Sequence, residues 1–243
     1  MQIAVFGDIH GNIDALTAVL QTLNHIGVER MVCTGDIVGY GACPSECIEV
    51  LRELGIPAVR GNHDEYTSQT QRLDWRIRPE AREVIFWNRK ALSTDQLSWL
   101  AALPFMIETD GFSVVHASHA YLPHWPYILN ERAAIHNFLF QRAHLAFNGH
   151  SHVPVYITHR SGQRPKLDLL RNALLPRARR LIIGVGAVGQ PRDGDPRACV
   201  VVYDSDVRSV RVLRVAYDVK AAQRRIRRAG FPDDLAERLA LGQ

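Results

Sequence analysis

Along the chain, five short apolar runs are each followed directly by a cluster of polar residues. The runs contain β-branched or aromatic residues and are only a few positions long, which is typical of buried strands. They occupy residues 3–6, 31–33, 58–59, 114–115 and 145–147. If these runs are strands of one sheet, the polar clusters lie on loops at their carboxyl ends, where open α/β sheets bind their ligands. The pattern therefore predicts that residues far apart in sequence meet at one site.

Between these runs, apolar positions recur at the spacing of amphipathic helices. The first such segment starts at Asn12, the second has Pro44 in its first turn, and a cap at Ser93 or Thr94 opens a later one. The predicted helices cover residues 12–26, 44–54, 79–92, 94–103 and 130–142. Residues 161–180 show no clear period and many charges, so we expect a loop there with at most one helical turn.

From residue 181 onward the pattern is that of strands. Apolar runs predict strands at residues 181–185, 198–203 and 207–215, and the last two read as a hairpin. A strand-rich second part joined to alternating strands and helices predicts an α/β fold in which two sheets pack face to face with helices outside. We expect a single domain over residues 1–243, with a helical insertion at about 65–111 beside the site and a basic helical tail from about 217.

The composition is that of a globular protein. The 243 residues are 47% hydrophobic, which is a normal fraction. No charged amino-terminal segment precedes an apolar stretch, and no run approaches 18 apolar residues, so we expect a cytoplasmic protein with no membrane partner. The four cysteines lack the Cys-x-x-Cys spacing of a zinc or redox motif, and we expect them to be reduced and mostly buried.

The charge is modestly basic. The net charge is +4, and the excess arginines are concentrated in residues 177–180 and 224–228. Runs of this size are more typical of a solvated helix face than of a nucleic-acid contact, although they could also attract anionic substrates. No continuous basic stripe with interleaved aromatic residues accompanies the polar clusters, so a nucleic-acid partner is not expected. The sequence leaves the oligomeric state open.

The polar clusters carry the carboxylate, imidazole and amide groups that a pair of divalent transition metals requires. Asp8 and His10 leave one strand end on the same side and can share a cation, while the two oxygens of Asp36 can bridge two cations. Alternate side chains of a His-x-His motif can address different metals if the backbone there is extended. The candidate metal ligands are Asp8, His10, Asp36, Asn62, His116, His150 and His152.

This ligand set predicts a two-metal hydrolase. A water between two cations is deprotonated near neutral pH, because metal binding lowers its pKa from about 15.7 towards 7. Phosphorus is the expected electrophile, since two adjacent cations can neutralise its non-bridging oxygens. His63 could protonate the departing oxygen, and Asp64 could orient His63. We therefore expect a phosphoesterase in which a metal-bridging hydroxide attacks a small phosphodiester or phosphomonoester, with nucleotides among the candidate substrates.

The order of these motifs resembles that of the calcineurin-like metallophosphoesterase superfamily. The shared motifs are Asp-x-His, Gly-Asp, Gly-Asn-His-Asp, His and Gly-His-x-His, spread over residues 8–152. Longer sequence motifs at residues 8–12, 35–41 and 188–197 resemble those of a small bacterial branch of the superfamily. That branch also contains enzymes resembling diadenosine tetraphosphatases.

The resemblance implies a four-layer α/β/β/α sandwich with two mixed sheets flanked by helices. It places one metal on Asp8, His10, Asp36 and His152, and the other on Asp36, Asn62, His116 and His150. It also places His63 near the leaving group. The metals it implies are manganese first, with iron, zinc, cobalt and nickel as alternatives.

Three positions depart from the superfamily pattern. Residues 39–41 read Gly-Tyr-Gly where the protein phosphatases have Asp-Arg-Gly, which argues against a protein phosphatase. Ala117 follows the metal-binding histidine where glycine is usual, so a positive φ there would be strained. Residues 184–187 replace the usual Asn-Pro-Gly-Ser, which puts substrate contacts from that loop in question.

Several further residues could touch the substrate. Asn12 and Tyr40 flank metal ligands, and Arg192 could contact a substrate phosphate. His119 and His124 could line the pocket, although each histidine, like His144, is more often a core or surface residue. Trp75, Trp87 and Trp99 belong to the predicted insertion and are expected to form its core rather than a base-stacking platform.

Two other functions remain open at this stage. A nuclease is suggested by the basic tail. A non-catalytic scaffold is a second alternative, because some members of the superfamily keep the fold after losing catalytic residues. The presence of His63 and of every candidate ligand argues against the scaffold.

Overall fold

The strands form two mixed sheets in a computed structural model that describes residues 1–69, 77–109, 111–177 and 179–243. The strands are β1 (Gln2–Phe6), β2 (Arg30–Cys33), β3 (Met106–Glu108), β4 (Ser113–Val115), β5 (Leu145–Asn148), β6 (Pro154–His159), β7 (Lys166–Leu169), β8 (Ala173–Leu174), β9 (Arg180–Val185), β10 (Ala198–Asp204) and β11 (Ser209–Val215). Sheet A has the order β2-β1-β10-β11-β8, and sheet B has the order β3-β4-β5-β9-β6-β7. Strands β1 and β2 are parallel, as are β4, β5 and β9.

Successive side chains of a strand point to opposite faces of its sheet, and in the central strands both faces are buried. In β1, Ile3 and Val5 point into the apolar layer between the sheets, whereas Ala4 and Phe6 point to the helices outside sheet A. In β9, Leu181 and Ile183 enter the layer between the sheets. Strands buried on both faces read as continuous apolar runs, which is why the sequence revealed them.

The helices cover the outer faces of both sheets. They are α1 (Ile13–His25), α2 (Pro44–Glu53), α3 (Asn62–Ser68), α4 (Pro79–Ala91), α5 (Thr94–Ala102), α6 (Glu131–Phe140), α7 (Val219–Arg228) and α8 (Asp233–Leu241). Side chains of α1, α2 and α5 share the apolar cluster outside sheet A, and α6 packs against Ile157 and Ile182 outside sheet B. The expected four-layer α/β/β/α sandwich is confirmed.

Side-chain caps place the helix starts close to where the sequence predicted them. The Asn12 side chain accepts a hydrogen bond from the Ala15 backbone N–H at 3.1 Å at the start of α1. Ser93 and Gln96 form a reciprocal capping box at the start of α5. The Asn130 side chain caps α6 in the same way as Asn12 caps α1. Each cap satisfies a backbone N–H that has no partner within the helix.

Residues 161–180 differ from the expected loop, because they contain β7, β8 and the first residue of β9. Strand β7 pairs with β6 at the edge of sheet B, and β8 pairs with β11 at the edge of sheet A. These edge strands are largely exposed, so backbone pairing rather than apolar periodicity selects them. The apolar pair at 58–59 makes only an isolated bridge with Cys33 and no strand. Strands β3 and β6 and helix α3 were not predicted.

The basic tail forms α7 and α8, which pack together as a helical pair. Three of its arginines face carboxylates: Arg225 lies 3.0 Å from Asp14, Arg227 lies 2.8 Å from Asp233, and Arg224 lies 3.8 Å from Asp218. These pairs fit the expected solvated helix face.

Two of the predicted core tryptophans pack into apolar clusters. Trp87 packs edge-on against Phe231, with ring centroids 4.9 Å apart, and Trp99 packs against the cluster outside sheet A. Trp75 lies outside the described residues.

In the described ranges, no helix has both the length and the apolar character needed to span a membrane.

Candidate metal centre

The polar clusters meet at the carboxyl ends of the parallel strands. Loops after β1, β2, β4 and β5 converge there, together with the start of α3. Two separate sets of side chains place their ligand atoms within 4.8 Å of one another: Asp8, His10 and His152 form the first, and Asp36, His116 and His150 form the second. A third set, His10, Asp36 and His63, overlaps both. The structure therefore brings together the predicted ligands from both halves of the sequence motif.

In the first set, two imidazoles and a carboxylate face each other. The Nε2 atoms of His10 and His152 lie 3.0 Å apart. The Asp8 Oδ1 atom lies 3.2 Å from His152 Nε2 and 3.9 Å from His10 Nε2.

The second set also combines imidazoles with a carboxylate, and the Asn62 side-chain amide lies next to it. His116 Nε2 lies 3.2 Å from His150 Nδ1 and 3.1 Å from Asn62 Oδ1. The Asp36 Oδ2 atom lies 3.4 Å from His116 Nε2 and 3.7 Å from His10 Nε2. Asp36 thus lies between the two sets.

Each histidine of the two sets is oriented by a backbone carbonyl. The oxygens of Val38, Thr34, Gln190 and Trp125 lie 2.6–3.2 Å from the second ring nitrogen of His10, His116, His152 and His150 respectively. Because a carbonyl only accepts hydrogen bonds, the ring proton lies on that nitrogen. The remaining lone pair then points into the centre, which is the usual arrangement of metal-binding histidines.

These orientations fit divalent cations. Lone pairs on two ring nitrogens 3.0 Å apart repel each other unless positive charge lies between them. With metal–ligand distances of about 2.1 Å, neighbouring ligand atoms are roughly 3.0–3.4 Å apart, close to the separations observed within each set. Burial favours the neutral form of His116, but the Asp36 carboxylate outweighs it and raises the pKa of His116 to about 9. The centre therefore attracts positive charge.

Five of the candidate ligands have left-handed backbone conformations. Their φ values are 48° for Asp8, 49° for His10, 52° for Asp36, 66° for His150 and 59° for His152. The extended backbone that was the condition for a His-x-His pair to address two metals is absent, because both histidines are left-handed. Such conformations cost about 1–3 kcal/mol each and cluster at functional sites. Ala117 is not among the residues with positive φ in the described ranges, so the condition under which alanine would be strained is not met there.

We expect His150→Gly to be more stable than His150→Ala in metal-free protein, by about 1–2 kcal/mol. Both variants remove the same imidazole, so the difference isolates the cost of a Cβ atom at φ 66°. Urea denaturation of the two variants measures it. Ala117→Gly is the control, because glycine should destabilise the protein where φ is not positive. A more stable His150→Ala variant would show that the left-handed residue carries no strain.

Two glycines allow the backbone to approach the ligand carboxylates. A Cβ atom at Gly61 would collide with the Asp36 carboxylate, and one at Gly149 would collide with the Asp8 carboxylate. These contacts give a physical reason for glycine at the start of the Gly-Asn-His-Asp and Gly-His-x-His motifs.

Asp64 supports the Asp36 loop. Its two oxygens accept hydrogen bonds from the backbone N–H groups of Asp36, Ile37, Val38 and Gly61 at 2.8–3.2 Å. Burial and the nearby Asp36 carboxylate raise the pKa of Asp64 to about 7, and these backbone donors oppose that rise. In the described part of the chain, no hydrogen bond joins Asp64 to His63, so the expected orienting contact is not formed.

We expect Asp64→Asn to destabilise the protein by about 2–5 kcal/mol, because its NH₂ group would face two backbone donors that lose their acceptor. Chemical denaturation of the metal-free protein measures this effect, with the exposed Asp234→Asn as the control. A variant of unchanged stability with impaired turnover would instead place Asp64 in the chemistry.

His63 lies beside the centre at the start of α3. Its ring packs against His10 and Tyr40, with centroids 4.9 and 4.7 Å away, and its backbone N–H donates to Asp36 Oδ1 at 2.8 Å. Burial lowers the pKa of His63 to about 4. His63 also lies within ligand distance of His10 and Asp36, so it could act either as a proton donor or as an additional ligand.

The three predicted substrate-binding residues differ in placement. Tyr40 and Arg192 line a cavity of about 810 Å³ beside the centre, and the Arg192 guanidinium lies 5.6 Å from the Tyr40 ring centroid. Asn12 uses its side-chain oxygen to cap α1 and donates its amide N–H to the Gly189 carbonyl at 3.0 Å. The Asn12 side chain is thus engaged in structural contacts.

Sequence reasoning missed three aromatic residues in the same cavity, Tyr66, Trp125 and Tyr127. The Trp-Pro-Tyr segment at residues 125–127, shortly after the candidate ligand His116, was the available signal for two of them. His124 lines the cavity, which was one of the two positions considered for it from the sequence. His119 is instead a core histidine, with Nε2 2.8 Å from Ser113 Oγ.

Comparison with known proteins agrees with this geometry. Residues 1–207 match the calcineurin-like phosphoesterase superfamily domain. The chain is 35% identical to an uncharacterized protein of Methanocaldococcus jannaschii over 246 residues, which cover 99% of this chain and 98% of that protein. The crystal structure of a metallophosphoesterase from Sphaerobacter thermophilus is 38% identical and matches 100% of this chain and 99% of that chain, with a TM-score of 0.86.

A third relative matches only in part. The symmetrical bis(5′-nucleosyl)-tetraphosphatase of Yersinia pestis is 31% identical over 130 residues, which are 51% of this chain and 44% of that enzyme. The chain belongs to the calcineurin-like phosphoesterase superfamily, a group of metal-dependent hydrolases. The resemblance inferred from the motifs is confirmed.

Proposed function

We propose that the protein is a binuclear metal-dependent phosphoesterase that hydrolyses small phosphodiesters or phosphomonoesters, including nucleotides. The observation that carries the proposal is the position of Asp36, whose Oδ2 atom lies 3.4 and 3.7 Å from imidazoles of two separate ligand sets. Asp8, His10, Asp36 and His152 would hold one cation, and Asp36, Asn62, His116 and His150 would hold the other.

The donor set favours first-row transition metals. Four imidazoles, two carboxylates and one amide oxygen suit manganese, iron, cobalt, nickel or zinc better than an all-oxygen ion such as calcium. We propose manganese as the working metal. When bound, two divalent cations neutralise phosphate oxygens and lower the pKa of water to near neutrality.

The residues of the chain would bind and orient the phosphate. Arg192 lines the same cavity as His63 and is held by a hydrogen bond to the Gln190 side chain at 2.9 Å, so its guanidinium is placed to meet a phosphate oxygen. His63 would donate a proton to the departing oxygen. A bound anionic phosphate would raise the pKa of His63, because opposite charge favours the protonated imidazole.

The test is reconstitution followed by a turnover screen. Metal-free protein loaded with Mn²⁺ should bind two ions per chain, as measured by plasma emission spectrometry. It should then hydrolyse at least one of p-nitrophenyl phosphate, its diester analogue, cyclic nucleotides and dinucleoside polyphosphates, and chelation should abolish the activity. Fewer than two bound ions under saturating metal, or no turnover of any phosphoester, would contradict the proposal.

A further inference from the structure

The cavity beside the metal centre is larger than a phosphate group requires. Its volume is about 810 Å³, and Asn62, His63 and His150 form the part of its lining that belongs to the centre. Pockets that enclose a whole small molecule are about 300–1,000 Å³. The cavity therefore has room for an organic group esterified to the phosphate.

Tyr127 presents an aromatic surface to this cavity. Its ring stacks on the His150 ring, with centroids 4.0 Å apart and planes inclined by 20°. His150 is itself fixed, because the Trp125 carbonyl accepts its Nε2–H at 3.1 Å. With one face on His150, the Tyr127 side chain is still 45% exposed and lines the cavity. A planar ring of a ligand in the cavity could stack on Tyr127 and extend the His150–Tyr127 stack by one ring.

Trp125 continues the same aromatic wall. Its ring packs edge-on against His116, with centroids 5.7 Å apart, and against Phe105 at 5.9 Å. These contacts hold Trp125 in the cavity lining next to the second ligand set. Both aromatic residues thus lie directly beside histidines of the metal centre.

The charged groups of the cavity favour an anionic ligand. Arg78 and Arg192 contribute guanidinium groups to the lining. The carboxylate Glu65 also lines the cavity, but Arg60 lies 2.6 Å from it and offsets its charge. An aromatic wall combined with cationic groups suits a ligand that joins a planar ring to phosphate.

We propose that Tyr127, supported by Trp125, binds the planar base of a nucleotide substrate whose scissile phosphate lies at the metal centre. This inference rests on the proposed phosphoesterase function and specifies its substrate class. A purely structural role for Tyr127, in which it only orients His150, makes a different prediction, because every substrate would then be affected equally.

Two phosphodiesters with the same leaving group separate these roles. Thymidine 5′-(p-nitrophenyl phosphate) carries a base, and methyl p-nitrophenyl phosphate carries none. Wild-type protein loaded with Mn²⁺ should show a higher kcat/KM for the thymidine ester, and Tyr127→Leu should reduce that preference roughly 5- to 150-fold, the range for loss of one base–aromatic stack. Tyr127→Phe should keep the preference, since it keeps the ring.

The control is Tyr121→Leu. Tyr121 is about as exposed as Tyr127 and lies in the same connection before α6, but its ring packs near His136 and Phe140 and does not line the cavity. This variant should keep the wild-type preference. An equal loss on both esters in Tyr127→Leu would show that Tyr127 only orients His150 and would overturn the inference, as would a wild-type enzyme with no preference.

Equilibrium binding gives a second readout that does not depend on turnover. Thymidine 5′-monophosphate should bind Mn²⁺-loaded wild type more tightly than methyl phosphate does, and Tyr127→Leu should remove that difference in calorimetry. If neither diester is hydrolysed, the proposed activity on such esters is wrong, whereas the binding difference still decides whether Tyr127 contacts the base. If hydrolysis occurs but thymidine monophosphate shows no advantage, only the base contact is wrong.

Discussion

Replacing Asp36 with asparagine is expected to remove the binuclear centre with little change in the loop that carries it. The Oδ1 atom of Asp36 accepts the His63 backbone N–H at 2.8 Å, and an amide oxygen can accept the same bond. The Oδ2 atom, which faces His10 and His116 at 3.7 and 3.4 Å, would become an NH₂ donor without negative charge. One substitution therefore removes a ligand from both ligand sets.

The expected loss of metal affinity and activity is larger than the loss caused by removing a residue that only hydrogen-bonds to a metal ligand. Such partners are worth about 10- to 100-fold in metal affinity or activity. We therefore expect Asp36→Asn to lose more than about 100-fold in metal affinity and in kcat. Metal titration of the apoprotein and steady-state kinetics measure the two effects separately.

The control for this variant is Asp168→Asn, the same chemical change on the exposed edge strand β7. It should bind two metal ions with wild-type affinity. If Asp36→Asn also binds two ions and turns substrate over at the wild-type rate, the carboxylate does not bridge the sets, and the proposed centre is wrong.

The candidate metal ligands could be brought together from sequence because the pattern that marks them is local. All the candidate ligands except Asn62 come after a buried strand, and a buried strand is recognisable as a short apolar run such as residues 3–6 or 145–147. Asn62 follows the apolar pair at 58–59, which makes only an isolated bridge. Parallel strands then bring their carboxyl ends to one edge, so the convergence of the loops followed from the topology. The sandwich was predictable for the same reason, since both faces of β1 and β9 are buried.

The conformation of the ligand loops was not predictable from the same signal. A left-handed φ is common for glycine, but here aspartate and histidine adopt it at five ligand positions. At two of these positions the backbone is tied to a distant loop: the Asp8 N–H donates to the Gly35 carbonyl, and the His10 N–H donates to the Asp36 carbonyl, both at 2.9 Å. Those partners lie in a loop more than twenty residues away, so the residues around Asp8 and His10 do not indicate them.

The aromatic wall and the edge strands were missed because tertiary contacts define them. The stack of Tyr127 on His150 depends on the path of a connection with no periodic pattern. Strands β7 and β8 are selected by backbone pairing to β6 and β11, with little burial to mark them. For Asp64, the adjacent His63 suggested an orienting role, whereas the fold directs the carboxylate to backbone donors 26–28 residues away.

Removing the His63 imidazole is expected to slow catalysis while leaving both metal ions in place. A positioned proton donor contributes about 10²- to 10⁴-fold, so we expect His63→Ala to lose activity in that range. In the described structure the His63 side chain lines the cavity beside the centre, and its buried Nδ1 atom has no hydrogen-bond partner. The exposed His144→Ala is the control and should behave as wild type.

The leaving group distinguishes proton donation from a structural role for His63. Alkoxide leaving groups such as ribose hydroxyls need a proton far more than p-nitrophenolate does, so His63→Ala should lose much more activity on a nucleoside leaving group than on p-nitrophenol. A merely misplaced metal centre would slow both substrates alike. His63 also lies within ligand distance of His10 and Asp36, and in a ligand role its removal would lower the bound metal below two ions per chain. Full metal content with a loss confined to poor leaving groups would therefore assign His63 to proton transfer, because neither alternative produces that combination.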